Sequence, residues 1–155
     1  MIDFFSKCAS AEDDGASHKK PFKATRVASF SDKDGKKIVS ILLEVASTAE
    51  ERRHGMMGRD ELLPICGMLF EGLSGGGYFW MKNCLIPLDV IFIDKDGTVT
   101  KTYSMPVDEE GNEHYEYDDS DISAIEVNEG FCEKYGIAKG VEVSVSDIRK
   151  ESANG

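Results

Sequence analysis

Gly77-Tyr78-Phe79-Trp80-Met81-Lys82-Asn83-Cys84-Leu85-Ile86-Pro87-Leu88-Asp89-Val90-Ile91-Phe92-Ile93-Asp94 holds the single Trp of the chain and sets Lys82, Asn83 and Asp89 among apolar residues. A run built only to fill a core would not carry three such groups, because an unpaired buried charge costs several kcal/mol. Either they reach water at strand ends, or they form a satisfied polar cluster beside an aromatic wall, which is the make-up of a small binding pocket. Read as a strand, the stretch puts Trp80 and Lys82 on one face, and Met81 and Asn83 on the other. Pro87 interrupts sheet pairing and marks a strand start or an edge just before Asp89.

Outward from this stretch the chain repeats a pattern. Phe92-Ile93-Asp94-Lys95-Asp96-Gly97 precedes the β-rich run Thr98–Tyr103, and Phe30-Ser31-Asp32-Lys33-Asp34-Gly35 precedes the β-rich run Lys36–Val45. Asp-Gly between such runs signals a hairpin, since Gly accepts positive φ and Asp bonds the turn backbone. A calcium loop would need a ligand Glu downstream, and neither copy has one. Between the two hairpins, Ser47 and Thr48 each have a Glu three residues on, the pattern of a capping box. Arg52-Arg53-His54 complements the dipole of that short helix, and Gly55 stops it. A second short helix is expected from Asn128 through Phe131 to Tyr135, stopped by Gly136, and Gly140–Val145 alternates as a half-buried strand. Six or seven short strands with two short helices make an α+β domain on a curled, mostly antiparallel β-sheet or small barrel.

The chain has 155 residues, room for one core. The organisation expected is an N-terminal extension over 1–22, too polar to order by itself, a single domain over 23–148 and a tail over 149–155. The net charge of −11 argues against nucleic acid held through its phosphates. Eight carboxylates between Asp108 and Asp121, with no Lys or Arg among them, read as a solvated acidic loop. No apolar run approaches the ~20 residues of a membrane-spanning helix, and the N-terminus lacks the regions of a signal peptide. As written, the chain is expected in the cytoplasm. Cys8, Cys66, Cys84 and Cys132 fit no zinc or redox spacing and read as buried neutral thiols. His18, His54 and His114 are not spaced as metal ligands, so no metal and no cofactor are expected.

Thr48-Ala49-Glu50-Glu51-Arg52-Arg53-His54-Gly55-Met56-Met57-Gly58-Arg59, followed by Cys66-Gly67-Met68-Leu69-Phe70, resembles one half of the DUF192 (UPF0127) family of uncharacterised proteins. Phe79-Trp80-Met81-Lys82-Asn83, Ile86-Pro87-Leu88-Asp89 and Phe92-Ile93-Asp94 resemble the other half, and Ala124–Gly130 through Gly136–Gly140 resembles its ending. The resemblance runs over about residues 38 to 147. It implies a β-rich α+β domain, often exported, with no established activity. Three departures stand out: Cys84 where the family usually has Thr, Met56-Met57 in place of Leu-Met, and no export signal. The last suits a cytoplasmic or a virus-carried protein.

Arg59, Trp80, Lys82, Asn83, Asp89 and Glu126 are the candidate ligand-binding residues. Arg59 offers a planar fork for a carboxylate or phosphate, or an internal ion pair with Asp89 or Glu126. Trp80 forms a pocket wall with Lys82 at its rim, or packs in the core while the Lys82 stem reaches out to water. The Asp89 carboxylate can instead satisfy backbone N–H groups at the adjacent turn. Met56, Met57, Met68 and Met81 read as core filling rather than soft-metal ligands.

Three functions follow. The leading one is a non-enzymatic module that binds a small anionic or polar ligand, or a peptide end. The second is a structural or assembly protein contacting a partner through 1–22 or 108–121. The third is an enzyme using Lys82 or Asp89 as acid or base, for which no catalytic pairing is recognisable.

Overall fold

In a computed structural model of the chain, residues 21–148 are described. The expected extension and tail lie outside them, save Pro21 and Phe22; Phe22 is buried, with the Arg59 guanidinium 5.6 Å from its ring centroid.

Strand β1 (Arg26–Ser31) turns into β2 (Lys37–Ala46) through the first Asp-Gly hairpin. Asp32 Oδ1 accepts from the N–H groups of Asp34 and Lys36, both at 2.9 Å, and Gly35 takes φ +83°. The same device joins β5 (Leu88–Asp94) to β6 (Val99–Met105): Asp94 Oδ1 accepts from Asp96 and Thr98, and Gly97 takes φ +80°. Local chemistry alone accounts for both turns.

Helix α1 (Ala49–His54) starts on the predicted capping box: Thr48 Oγ1 accepts from the Glu51 N–H, and the Glu51 carboxylate accepts from the Thr48 N–H. It ends at Gly55, φ +49°, and its Arg52 donates to the carbonyls of Ser47 and Glu71. After this crossover β3 (Cys66–Glu71) pairs parallel to β2, the one parallel pair in the large sheet. Strand β4 (Gly77–Phe79) pairs with β7 (Tyr115–Tyr117) in a separate two-stranded ribbon. Strand β8 (Asp121–Asn128), helix α2 (Phe131–Tyr135) and β9 (Glu142–Asp147) complete the domain.

The seven-stranded sheet runs β6-β5-β8-β3-β2-β1-β9. Its edge strands approach at one bridge, Thr98 to Glu142, and no ladder closes them. The small barrel is thus corrected to an open, mixed sheet. Closure needs matched tilt and stagger across every strand, and the contact between these edges is confined to the bonds around that bridge, Val99 N–H to the Val141 carbonyl, Gly140 N–H to the Val99 carbonyl and Val143 N–H to the Gly97 carbonyl.

Two further expectations change. Asn128 belongs to β8, paired with Leu88, and its Nδ2 donates to the Leu62 carbonyl at 2.5 Å, so α2 begins only at Phe131. Ladder pairing outweighs local helix preference there. Residues Trp80–Asn83 do not continue a strand either. The Cys84 N–H donates to the Met81 carbonyl, closing a turn in which Asn83 takes φ +60°, a conformation Asn tolerates better than most. Strict alternation therefore fails: Met81 is fully buried, while Lys82 and Asn83 are both exposed.

Both faces of the sheet are covered. Along β5, Leu88, Val90 and Phe92 enter a cluster with Met56, Met81 and Phe70, whereas Ile91 and Ile93 enter the opposite cluster with Phe30, Ile125 and Phe131. Burying a residue the size of Phe92 is worth about 1.5–3 kcal/mol. The register lines up one row on the first face: Glu44 opposite Met68, Met68 opposite Glu126, Glu126 opposite Val90.

Candidate functional site

That row places two carboxylates in an apolar face. Glu44 is answered: Arg59, which follows α1, forms an ion pair with it, both side chains largely buried. This corrects the expected pairing of Arg59 with Asp89 or Glu126. Register decides the matter, because Glu44 lies at the end of the row nearest α1 and Glu126 sits two strands further on.

Glu126 has no such answer. It is 4% exposed, and its carboxyl makes no hydrogen bond or ion pair with any described residue. Burial alone pushes its pKa up to about 8 from 4.5. The carboxyl forms part of the wall of a cleft of about 330 Å³. Beside it, burial and then the charge of Glu126 push the Cys84 thiol up to about 12, so it stays protonated.

The cleft lies between α1, the β4–β7 ribbon and the sheet. Phe70, Leu73, Met56 and Phe79 make its apolar walls. Phe79 is held edge-on by Phe70 at 4.9 Å and by Phe92 at 5.3 Å, contacts that lock ring orientation. Tyr78, Trp80 and Tyr117 add aromatic surface. Arg53 and Lys82, both exposed, bring positive charge to the same cleft, the exposed His54 lies beside them, and the Lys82 ammonium sits 5.2 Å from the Trp80 ring centroid, a cation–π contact.

The acidic segment holds this edge in place. Gly111, φ +72°, lies so close that a Cβ there would come within 2.8 Å of Lys82 Cβ and 3.0 Å of Trp80 Cε3. His114 stacks on Tyr78, centroids 3.9 Å apart and planes within 7°. The solvated-loop reading holds for Glu109, Glu110 and Asp119, which are exposed, but not for Asp121. That carboxylate is fully buried, accepting from Thr100 at 2.5 Å and from Asp118 N–H, with Lys101 at 3.5 Å.

The structure therefore brings Trp80, Lys82 and Glu126 to one cleft. Arg59 is spent on Glu44. Asn83 serves the backbone: its N–H donates to Glu109 and its carbonyl accepts from Gly58. Asp89 faces the opposite side of the sheet, in a separate cleft with Ser104, Glu129 and Cys132. Its Oδ2 accepts from the Cys132 N–H at 3.0 Å, in the first turn of α2, where Gly130 provides no capping side chain. Asp89 thus satisfies backbone N–H as anticipated, though of a helix far along the chain rather than of its own turn. Its Oδ1 is buried without a partner. Lys82 and Asp89 do not share a site.

Sequence reasoning missed Arg53, His54, Tyr78 and Cys84. The basic residues had a sufficient local account as complements of the helix dipole, and only packing of α1 over the sheet brings them to the cleft that Glu126 lines. Among the described residues no group of three or more His, Cys, Asp or Glu could hold a metal ion, and no helix is long and apolar enough to cross a membrane.

An open mixed sheet with two short helices and a charged, aromatic cleft on one face defines the class of domain. The chain belongs to the DUF192 family of uncharacterised proteins, whose sequence model matches residues 30–145. A search of curated proteins finds no match. Among solved structures, it is similar to a candidate transcription regulator from Sinorhizobium meliloti 1021, with 24% identity and TM-score 0.71, over 79% of this chain and 94% of that one. It is also similar to a protein of unknown function from Novosphingobium aromaticivorans DSM 12444, with 27% identity and TM-score 0.68, over 76% of this chain and 83% of that one.

Proposed function

We propose that this chain is a binding module that takes a small polar or charged ligand in the cleft between Trp80, Lys82 and Glu126. The observation that carries this reading is the Glu126 carboxyl: the residue is only 4% exposed, no described residue bonds its carboxyl, and it lines the wall of a cavity. Leaving a buried polar group unsatisfied costs about 1–3 kcal/mol, more if charged. A ligand that bonds the carboxyl as it displaces the cleft's solvent avoids that cost and supplies the partner the fold does not. The volume falls in the range of small-molecule sites, which combine apolar walls with a few polar groups. Arg59 and Asn83 contribute by holding the α1 turn and the Trp80 turn, not by touching the ligand. Catalysis has less support, since the one thiol beside Glu126 is driven away from its nucleophilic form. Membership of the fold does not make this chain a transcription regulator, and a net charge of −11 opposes contact with DNA phosphates.

The test is a fragment screen by NMR on the isotope-labelled full chain. Binders are expected to shift the Trp80 indole N–H together with the amides of Lys82 and Cys84. A screen in which binders gather elsewhere, or in which none binds, refutes the reading.

A further inference from the structure

The two kinds of charge in this cleft are segregated. Glu126 lies deep on β8, surrounded by Met56, Cys84 and Phe79. The positive groups, Lys82 and Arg53, lie with His54 at exposed positions lining the same cleft. None of the three forms an ion pair with Glu126. A purely anionic ligand would satisfy the positive groups and leave the carboxyl unanswered. A purely cationic ligand would satisfy the carboxyl and leave the two positive groups, Lys82 and Arg53, unanswered.

We propose that the cleft takes a small zwitterion, with an alkylammonium group against the Glu126 carboxylate and an anionic group among Lys82, Arg53 and His54. The inference rests on reading the cleft as a ligand site and adds the class of ligand. An ammonium group is the complement of a carboxylate in an aromatic-lined cleft: opposite charge stabilises the ionised acid, and Phe79 and Tyr117 line the same cleft as Glu126, while the Trp80 ring already carries the Lys82 ammonium. At the other end, side chains on the open rim remain hydrated until an anion arrives, and they discriminate by attraction rather than by fit.

A second consequence follows from the same arrangement. The titratable group beside Glu126 is the Cys84 thiol, from the turn after Trp80, and Arg52, Arg53, His54, Lys82, Tyr78 and Tyr117 line the same cleft. With its carboxyl protonated at neutral pH in the empty cleft, Glu126 ionises as the ammonium group seats, so binding releases a proton. A neutral carboxyl that merely donated to a ligand oxygen would release none.

The experiment uses the full chain and its single Trp as reporter. Trp80 fluorescence is titrated at neutral pH with ε-aminocaproate and its shorter ω-amino acid homologues, with caproate for the anion alone and n-hexylamine for the cation alone. The best-fitting zwitterion is expected to bind at least about tenfold more tightly than either singly charged analogue. Calorimetry in buffers of different protonation heat is expected to show proton release for the zwitterion and the amine, and none for caproate. Glu126→Gln should erase the preference for an amine and the proton release. Lys82→Ala and Arg53→Ala, at exposed positions that leave the core untouched, should erase the preference for a carboxylate. Caproate binding as tightly as the zwitterion, indifferent to Glu126→Gln, overturns the inference while leaving the cleft a ligand site. Hexylamine binding as tightly as the zwitterion overturns its anionic half in the same way. If no probe perturbs Trp80 up to millimolar concentration, the zwitterion inference fails, and the fragment screen decides separately whether the cleft binds anything.

Discussion

Asp89 and Glu126 are neighbours across the β5–β8 ladder yet face opposite sides of the sheet, and each is a carboxyl only 4% exposed. On one side the carboxyl is built into the fold: Asp89 Oδ2 takes the Cys132 N–H and anchors a helix that has no cap of its own. On the other, Glu126 is held in an apolar face and bonds to no described residue. Even on its own face the contrast repeats, because Glu44 in the same row has Arg59. Burial of a carboxyl therefore says little about function. What distinguishes the candidate site is a carboxyl that no described residue bonds at either oxygen, whereas Asp89 is left open at Oδ1 alone.

The comparison can be broken at four points. Arg59→Ala leaves Glu44 buried without its cation and should cost about 3–5 kcal/mol in denaturant unfolding. A loss below that range would mean the Glu44 side of the row is no more structural than the Glu126 side. Glu126→Gln should act oppositely and with a pH signature. Its folded pKa, about 8, exceeds the ordinary 4.5, so the folded state binds more protons and the parent's stability falls as pH rises between those values. The Gln variant loses that slope, so thermal melts should show it gaining on the parent from acid toward alkaline pH. Parallel melting curves for the two proteins would show that Glu126 ionises freely and is not the uncompensated group described here.

Asp89→Ala should cost about 1–3 kcal/mol, the penalty of a lost buried acceptor, and amide exchange should quicken over Phe131–Tyr135. Exchange that quickens instead around Trp80 would mean that the two sides of the sheet are not separate. The smallest effect is expected from Gly111→Ala. A side chain at φ +72° costs about 1–2 kcal/mol and must displace Lys82 or the Trp80 ring. Trp80 fluorescence should shift in that variant with little change at Asp89.

How much of this was legible in the sequence varied with the range of the interaction. The two Asp-Gly hairpins, the Thr48–Glu51 capping box and the stop at Gly55 were readable because each is closed by groups within a few residues. Trp80, Lys82 and Glu126 were named as site residues, and the cleft holds all three. The face assignment failed, since periodicity presumes a strand and Asn83 at φ +60° ends one. Arg59 was assigned the wrong carboxylates because Glu44 drew no attention in sequence, being one acidic residue inside a β-rich run. The barrel was overestimated for a related reason: strand count and turns do not state whether the last edge meets the first.

The amino-acid sequence by itself determined the elements, their turns and the family, because these depend on short spacings and on the order of motifs along the chain. Only the tertiary structure decided which carboxyl was left without a partner. Glu44, Glu126 and Asp89 are chemically alike and separated widely in sequence. Strand register and the packing of α1 gave Arg59 to Glu44, gave the α2 backbone to Asp89, and left Glu126 facing the cleft.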